Sequence, residues 1–319
     1  MRGFCLLICL PVLAQPALDR EIGKIADASG GIVGVSALHL ESGNSYGLRG
    51  SERFPMASVF KLPVAMAVLD RNGPGPLAIR MKVEPGDIRP FRSPIAEKAP
   101  NGGIVLSLEE ALDAMIVESD NTAADLLLRL LGGGGVNTYL RRLGIDGVRV
   151  DRSEGEMALD YAGVTNPLPE SQWTLDWFQQ AMAAVPKDRQ REAAKRSLAD
   201  VRDTATPEAM LKLLRRLTAG EALSKEHTSY LLDRMQKTNP AAARIKAGLP
   251  TGTVLAHRPG SGSDNEGVNL CTNDVGIVTL PNGSHLLLAV FIKGSNRDAA
   301  TREQSIAQIT RALFDAWAK

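Results

Sequence analysis

The chain has 319 residues, 44% of them hydrophobic and 23% charged, enough to bury a full core in one or two globular units. A net charge of +1 and an aromatic content of 4% argue against a nucleic-acid surface or an anionic membrane as partner. The first residues, MRGFCLLICLPVLAQ, place one Arg before an apolar run from Phe4 to Leu13 and a small Ala14 before Gln15. That pattern predicts a signal peptide cleaved near Ala14, too short for a permanent membrane span, and a periplasmic or secreted protein. Cys5 and Cys9 leave with it, so Cys271 alone remains and no internal disulfide can form. The four histidines are scattered and form no metal-ligand pattern.

Ile32 to Leu40 alternates in part and predicts a strand, and Ser42-Gly43-Asn44 turns it back into a partner over Ser45 to Leu48. From Ser58 the period becomes helical. Ser107 and Glu110 form a capping box that opens an apolar helix to about Val117. Thr122 to Leu131 and Val136 to Leu143 predict two more helices, separated by the glycines 132–135. Thr206-Pro207 starts another, with Thr as cap and Pro at the first helical position, and Ser224 caps a further one. Strands return over Thr253 to His257, Glu266 to Cys271, Asp274 to Leu280 and His285 to Ile292, with a hairpin turn at Pro281-Asn282-Gly283-Ser284. Ser305 to Lys319 closes the chain as an amphipathic helix.

Strands at both ends with helices between them predict a two-lobed α+β fold, an antiparallel sheet from both termini with an inserted all-helical lobe. After the signal peptide (1–14), residues 15–319 form one domain. Its α/β lobe takes about 15–53 and 221–319, and its helical lobe about 54–220. A cleft at the seam is the natural place for a site.

Ser58-Val59-Phe60-Lys61 is an S-x-x-K motif. Three residues apart on a helix, hydroxyl and amine share one face. A hydroxyl is a poor nucleophile until a base takes its proton, and a desolvated Lys can do so because burial lowers its pKa. The motif alone is weak, since a capping Ser with a surface Lys gives the same letters. Ser119-Asp120-Asn121 follows the apolar helix and by itself reads equally well as a turn.

Taken together these segments resemble the class A β-lactamases. Phe54 to Lys61 is similar to the nucleophile helix of that family, Ser93-Pro94-Ile95-Ala96-Glu97-Lys98 and Ser119 to Ala124 follow in its order and spacing, and Asp151-Arg152-Ser153-Glu154 and Arg202-Asp203-Thr204-Ala205-Thr206-Pro207 resemble the two ends of its omega loop, here 151–207. The resemblance runs from about Ile32 to Lys319. It implies a β-lactam-hydrolysing enzyme with Ser58 as nucleophile, Lys61 as a candidate acylation base, Ser119 as proton relay to the departing nitrogen and Glu154 as the base that activates the deacylating water. It also implies that Asn121 binds the substrate side-chain amide and that the backbone N–H groups of Ser58 and Ser261 form an oxyanion hole. Whether Lys61 or Glu154 starts acylation is left open.

Three features depart from the family pattern. Arg258-Pro259-Gly260 stands where the family has Lys-Thr-Gly, so the resemblance implies that Arg258 and Gly260 bind substrate, with the charge kept but a hydroxyl lost. Ser261 can supply a hydroxyl instead, and Arg244, fourteen residues before Arg258, is expected to help hold the substrate carboxylate. Ala158 stands where an Asn amide normally helps Glu154 hold its water; Glu156 is a weaker second carboxylate. The omega loop is greatly enlarged. Arg152 and Asp203 are expected to pair at its neck, and Trp173 and Trp177 sit at helical spacing beside Phe178, with a charged helix over Lys187 to Arg196. That insertion reads as a helical hairpin packed on the lobe or as a lid over the cleft. The implied partner is a small-molecule β-lactam, with no cofactor, no metal, no nucleic acid, no stable membrane span and a monomeric chain. Two rival activities stay open: a β-lactam-binding protein that acylates and stalls, and a D-alanyl-D-alanine peptidase or esterase, which Glu154 argues against.

Overall fold

The computed structural model describes residues 16–318, so the expected signal peptide lies outside the described residues. Among those residues no helix is long and apolar enough to cross a membrane. The main sheet runs, in spatial order, Ser45–Leu48, Ile32–His39, His285–Ser295, Val268–Thr279 and Val254–Ser261, all antiparallel. Asp264–Asn265 pairs with the start of the Val268–Thr279 strand to make a short hairpin. Strands from the two ends of the chain thus lie side by side, as the pattern predicts.

The sheet is covered on both faces, which explains why its central strand is apolar without a break. Along His285–Ser295, Leu286, Leu288, Val290 and Ile292 face one core with the helices Pro16–Ala28 and Ala299–Trp317. The intervening Leu287, Ala289 and Phe291 face the other core, shared with Phe54, Met210 and Leu214. On that side stands the helical lobe. Its centre is the helix Lys61–Asn72, buried on every side from Lys61 to Leu69 and packed against Leu108–Val117, Asn121–Leu131 and Gly135–Arg142. The Ser107 capping box, the Thr206 cap with Pro207 and the Ser224 cap all form as the sequence predicts.

Several boundaries shift. The Val254–Ser261 strand continues through Pro259, which a strand tolerates at the sheet edge because that position need not donate to a ladder. The segments Glu266 to Cys271 and Asp274 to Leu280, read separately from sequence, are one strand, Val268–Thr279. The closing helix begins earlier, at Ala299, capped by Asp298.

The enlarged loop is a small packed unit. Its neck is the pair of buried side chains Arg152 and Asp203, with Nε 2.6 Å from Oδ2. Asp203 also accepts the backbone N–H groups of Asp151 and Arg152 at 2.7 and 3.0 Å, and Arg152 reaches Asp160 at 2.6 Å. Between the ends lie the helices Glu154–Ala162, Leu175–Ala183 and Lys187–Ala199. Trp173 is outside the helix that its spacing to Trp177 implied: Thr174 caps that helix, so Trp173 belongs to the preceding turn. The two indoles nonetheless stack, 5.9 Å apart and 6° from parallel, with Phe178 edge-on to both. Arg89, buried in the helical lobe, lies over the Trp173 ring and pairs with Glu170 of the loop and Asp125 of the lobe.

Asp203→Ala removes one partner of the neck, leaving the Arg152 charge to Asp160 and Asp200 and two backbone donors without their acceptor. It is expected to cost about 3–5 kcal/mol of unfolding free energy, measured from the midpoint of urea denaturation. A loss under about 1 kcal/mol would show that the neck is held elsewhere.

Candidate active site

Ser58 sits in a 3-10 turn, Ala57–Phe60, that runs directly into the helix Lys61–Asn72. Ala57, just before it, has φ +44°, a conformation costly for any residue but glycine. Phe91, Ser119 and Ala241 share that left-handed region, and all four border the same cleft. Non-glycine strain of this kind, of order 1–3 kcal/mol each, survives where surrounding structure fixes a functional geometry.

The cleft has a volume of about 510 Å³ and opens at the seam between sheet and helical lobe. Ser58, Ser119, Asn121 and Glu154 line one part of it, and Gly260, Ser261 and Arg244 another. Lys61 and Arg258 do not line it; both are buried behind it and reach it through the groups they hold.

The Lys61 amine has four oxygen neighbours. Ser58 Oγ is at 3.2 Å, Glu154 Oε1 at 2.9 Å, the Ser119 carbonyl at 2.9 Å and Asn121 Oδ1 at 2.6 Å. An ammonium has three protons, so one of the four is always left without a full donor. Burial pushes the Lys61 pKa below its ordinary value; the nearby Arg258 pushes the same way, while the Glu154 carboxylate opposes both. In the neutral amine a lone pair becomes free, and Ser58, the most distant neighbour, is the one whose O–H can donate to it.

Asp120 explains how its two neighbours reach the cleft. Its own carboxylate turns inward, accepting from Ser93 Oγ at 3.0 Å and from the N–H groups of Ile95 and Ala123 at 2.8 and 2.9 Å. It thereby caps the helix Asn121–Leu131. Ser119 Oγ accepts from Arg258 Nη2 at 2.7 Å. Arg258 is fully buried and, among the described residues, has no carboxylate within ion-pair distance, so burial pulls its guanidinium down to about 10. It remains charged at neutral pH and favours a negative Ser119 oxygen.

Glu154 opens its own helix. Ser153 caps that helix, and the backbone N–H groups of Glu154 and Gly155 donate to Asp125 at 2.7 and 3.1 Å. Asp125 is in turn held by Arg89. Glu156 bonds back to the Ser153 N–H at 2.7 Å and is exposed, so it completes a capping box and is no water-side carboxylate. Ala158 faces the cleft one turn beyond Glu154 and brings no polar atom.

On the opposite wall, a Cβ on Gly260 would lie 2.4 Å from the Met56 carbonyl, so only glycine lets the strand close on the Ser58 turn. Ser261, next along, accepts from Arg244 Nη2 at 2.6 Å. Arg244 also donates to the Gly260 and Asn273 carbonyls at 2.9 and 2.8 Å and pairs with Glu303 at 3.2 Å. Four of its five N–H groups are therefore used within the protein.

Two residues went unread in the sequence. Asp125, a lone carboxylate in the apolar run NTAADLLLRLL, was the available signal for a buried acceptor. Tyr161 follows Glu154 and Ala158 at helical spacing on one face and also lines the cleft.

The model of the β-lactamase enzyme family matches residues 17–317. β-Lactamase VEB-1 of Pseudomonas aeruginosa is 30% identical over 304 residues, covering 93% of this chain and 89% of that one. β-Lactamase CTX-M-25 of Escherichia coli is 30% identical over 316 residues, with 98% and 94% covered. The chain belongs to the class A serine β-lactamase family. Among solved structures, a β-lactamase from Chitinophaga pinensis superposes with a TM-score of 0.77 at 34% identity, covering 94% of this chain and 99% of that one. The TLA-3 extended-spectrum β-lactamase superposes with 0.79 at 29% identity, covering 96% and 100%. The fold is thus that of a class A β-lactamase, and the activity is that of a β-lactam hydrolase.

Proposed function

We propose that this β-lactamase opens the lactam amide through an acyl-enzyme on Ser58 and frees it with water activated by Glu154. The observation that carries the reading is the Lys61 amine, which lies within reach of both Ser58 Oγ and Glu154 at 3.2 and 2.9 Å. Neutral Lys61 takes the Ser58 proton as Oγ bonds to the carbonyl carbon. The oxyanion that forms is received by the N–H groups of Ser58 and Ser261, each donor of this kind contributing roughly 3–4 kcal/mol. The Ser119 hydroxyl gives its proton to the ring nitrogen as the C–N bond breaks and takes one back from protonated Lys61; between the two transfers its oxygen is negative and Arg258 stabilises it. Asn121 holds the side-chain amide, and Arg244 and Ser261 hold the carboxylate. Glu154 then takes a proton from water as that water attacks the ester, and Ser58 leaves with a proton returned through Lys61.

Ala158 favours one second reading. With no amide beside Glu154, the attacking water has one hydrogen-bond partner fewer, a loss of order 1 kcal/mol, and the acyl-enzyme lives longer. Mass spectrometry of the mature chain mixed with a penicillin separates the two. Hydrolysis leaves free enzyme and opened penicillin within seconds. A stoichiometric adduct on Ser58 that persists for hours would replace the hydrolase by a stalled binder. Export to the periplasm or medium remains part of the proposal, on the strength of the MRGFCLLICLPVLA run.

A further inference from the structure

The backbone that carries Glu154 rests on Asp125, Arg89 and Trp173, none of which lines the cleft. Asp125 accepts the first two N–H groups of the helix Glu154–Ala162, from Glu154 at 2.7 Å and Gly155 at 3.1 Å. Arg89 is buried beside it. Its guanidinium donates through Nε to Asp125, through Nη2 to Glu170 and through Nη1 to the Gly86 carbonyl at 2.6 Å. Its own backbone N–H donates to Thr122 Oγ1 at 3.0 Å, on the same helix as Asp125. The Trp173 ring lies 5.1 Å from the guanidinium, and its Nε1 donates to the Leu168 carbonyl at 2.7 Å. A Cβ on Gly155 would lie 2.6 Å from the Trp173 ring and 2.9 Å from Arg89 Nε. The residue after Glu154 is therefore pressed against both, with no room for a side chain.

We infer that Arg89 is a positioning residue for deacylation, fixing the Glu154 backbone through Asp125 and the bare face of Gly155, and that the insertion completes this support with Glu170 and Trp173. The inference rests on the reading of Glu154 as the base that activates water. Ala158 supplies the reason such support matters. No amide beside Glu154 shares the water, so the water is placed by the carboxylate, and the carboxylate is placed by its backbone. Asp125 can hold two N–H groups as a buried anion because Arg89 compensates its charge. A planar guanidinium holds Asp125 and Glu170 at once while lying on the indole; an ammonium has no such fork. Acylation draws on other supports. Lys61, its proposed base, is held by the Ser119 carbonyl and Asn121 Oδ1, from the segment that the Asp120 cap fixes. A shift at the start of the Glu154 helix thus acts on loss of the acyl group more than on its formation.

The test follows the Ser58 adduct of a penicillin by rapid quench and mass spectrometry, which gives separate rate constants for its formation and its loss. Arg89→Lys keeps the charge but not the fork. It is expected to slow loss about tenfold and to leave formation within about twofold of the parent. Arg89→Met, which keeps neither, should slow loss more than Arg89→Lys does. Gly155→Ala, whose methyl pushes the start of the helix off Trp173 and Arg89, is expected to act like Arg89→Lys and stands in if the Arg89 variants do not fold. A role in folding alone would lower the amount of adduct formed, since only folded molecules acylate, and would leave both rate constants unchanged. Loss within about twofold of the parent in the folded variants overturns the inference and leaves the hydrolase intact, as does an equal slowing of formation and loss. A parent chain that forms no adduct, or forms one and never sheds it, removes the hydrolase reading and this inference with it.

Discussion

Ser58→Ala should lower kcat for a chromogenic cephalosporin by about five to six orders of magnitude, the loss seen when an acyl-transfer enzyme is stripped of its nucleophile. The fold should be unaffected. Ser58 is half-buried and its side chain makes one hydrogen bond, with Lys61 at 3.2 Å, and Lys61 keeps Glu154, Asn121 and the Ser119 carbonyl as partners when the hydroxyl goes. Unchanged thermal unfolding together with the lost rate would therefore locate the effect in the chemistry. The variant should also show no mass increase with a penicillin. A residual rate within about tenfold of the parent would mean that another group attacks the ring, because no arrangement of donors and charges recovers a missing covalent step to that degree.

The residues proposed for this chemistry were legible because each is tied to a local pattern. Ser58 and Lys61 are one helical turn apart, and that spacing survives even though the serine lies in a 3-10 turn ahead of the helix. Ser119 and Asn121 flank a capping Asp, so the cap that makes the tripeptide resemble a simple turn is also what aims its neighbours at the cleft. What stayed hidden depends on partners far away in the chain. Arg258 was expected to touch substrate, but its strand brings it to Ser119 from behind, a fact set by the register of Arg258 opposite Val275 in the sheet. Asp125 gains its role only when the Glu154 helix is delivered to it from another part of the lobe. The helix Pro16–Ala28 was not read at all: only Leu18, Ile22 and Ala26 are buried, a narrow stripe that has meaning once the C-terminal helix covers it.

The insertion shows the same limit in a different form. Spacing four between Trp173 and Trp177 matched a helix, yet Thr174 is a capping residue and its side chain accepts from the Trp177 N–H. Cap chemistry outweighs periodicity at a boundary, because the cap satisfies a donor that a helix running through Thr174 would satisfy with a carbonyl four residues back. The indoles meet anyway, since the turn before the cap brings Trp173 back over the first helical turn. Of the two roles open to this insertion, its first half packs on the lobe through Arg89 and Trp173, whereas its last helix walls a space beside the cleft.

Glu154→Gln should convert the enzyme into one that acylates and then waits. Gln keeps the length and the hydrogen-bonding reach of Glu but cannot take a proton from water, so the step lost is deacylation, by about three orders of magnitude in kcat. Acylation is expected to fall far less if Lys61 is its base. Removing the carboxylate 2.9 Å away takes from the amine the strongest influence holding its pKa up, and the buried amine becomes more often neutral. The sign follows from the direction of that influence: without Glu154 the Lys61 pKa falls further, so the fraction of free base at neutral pH rises and the acid limb of the acylation rate moves to lower pH. Stopped-flow mixing with a penicillin should therefore give a fast burst equal to the enzyme concentration, followed by an almost flat steady state, with the adduct mass on Ser58. Loss of the burst together with the steady state would assign proton removal from Ser58 to Glu154. Turnover at the parent rate would show that the water is activated by some other group, and the distance between Glu154 and Lys61 would then serve the fold alone.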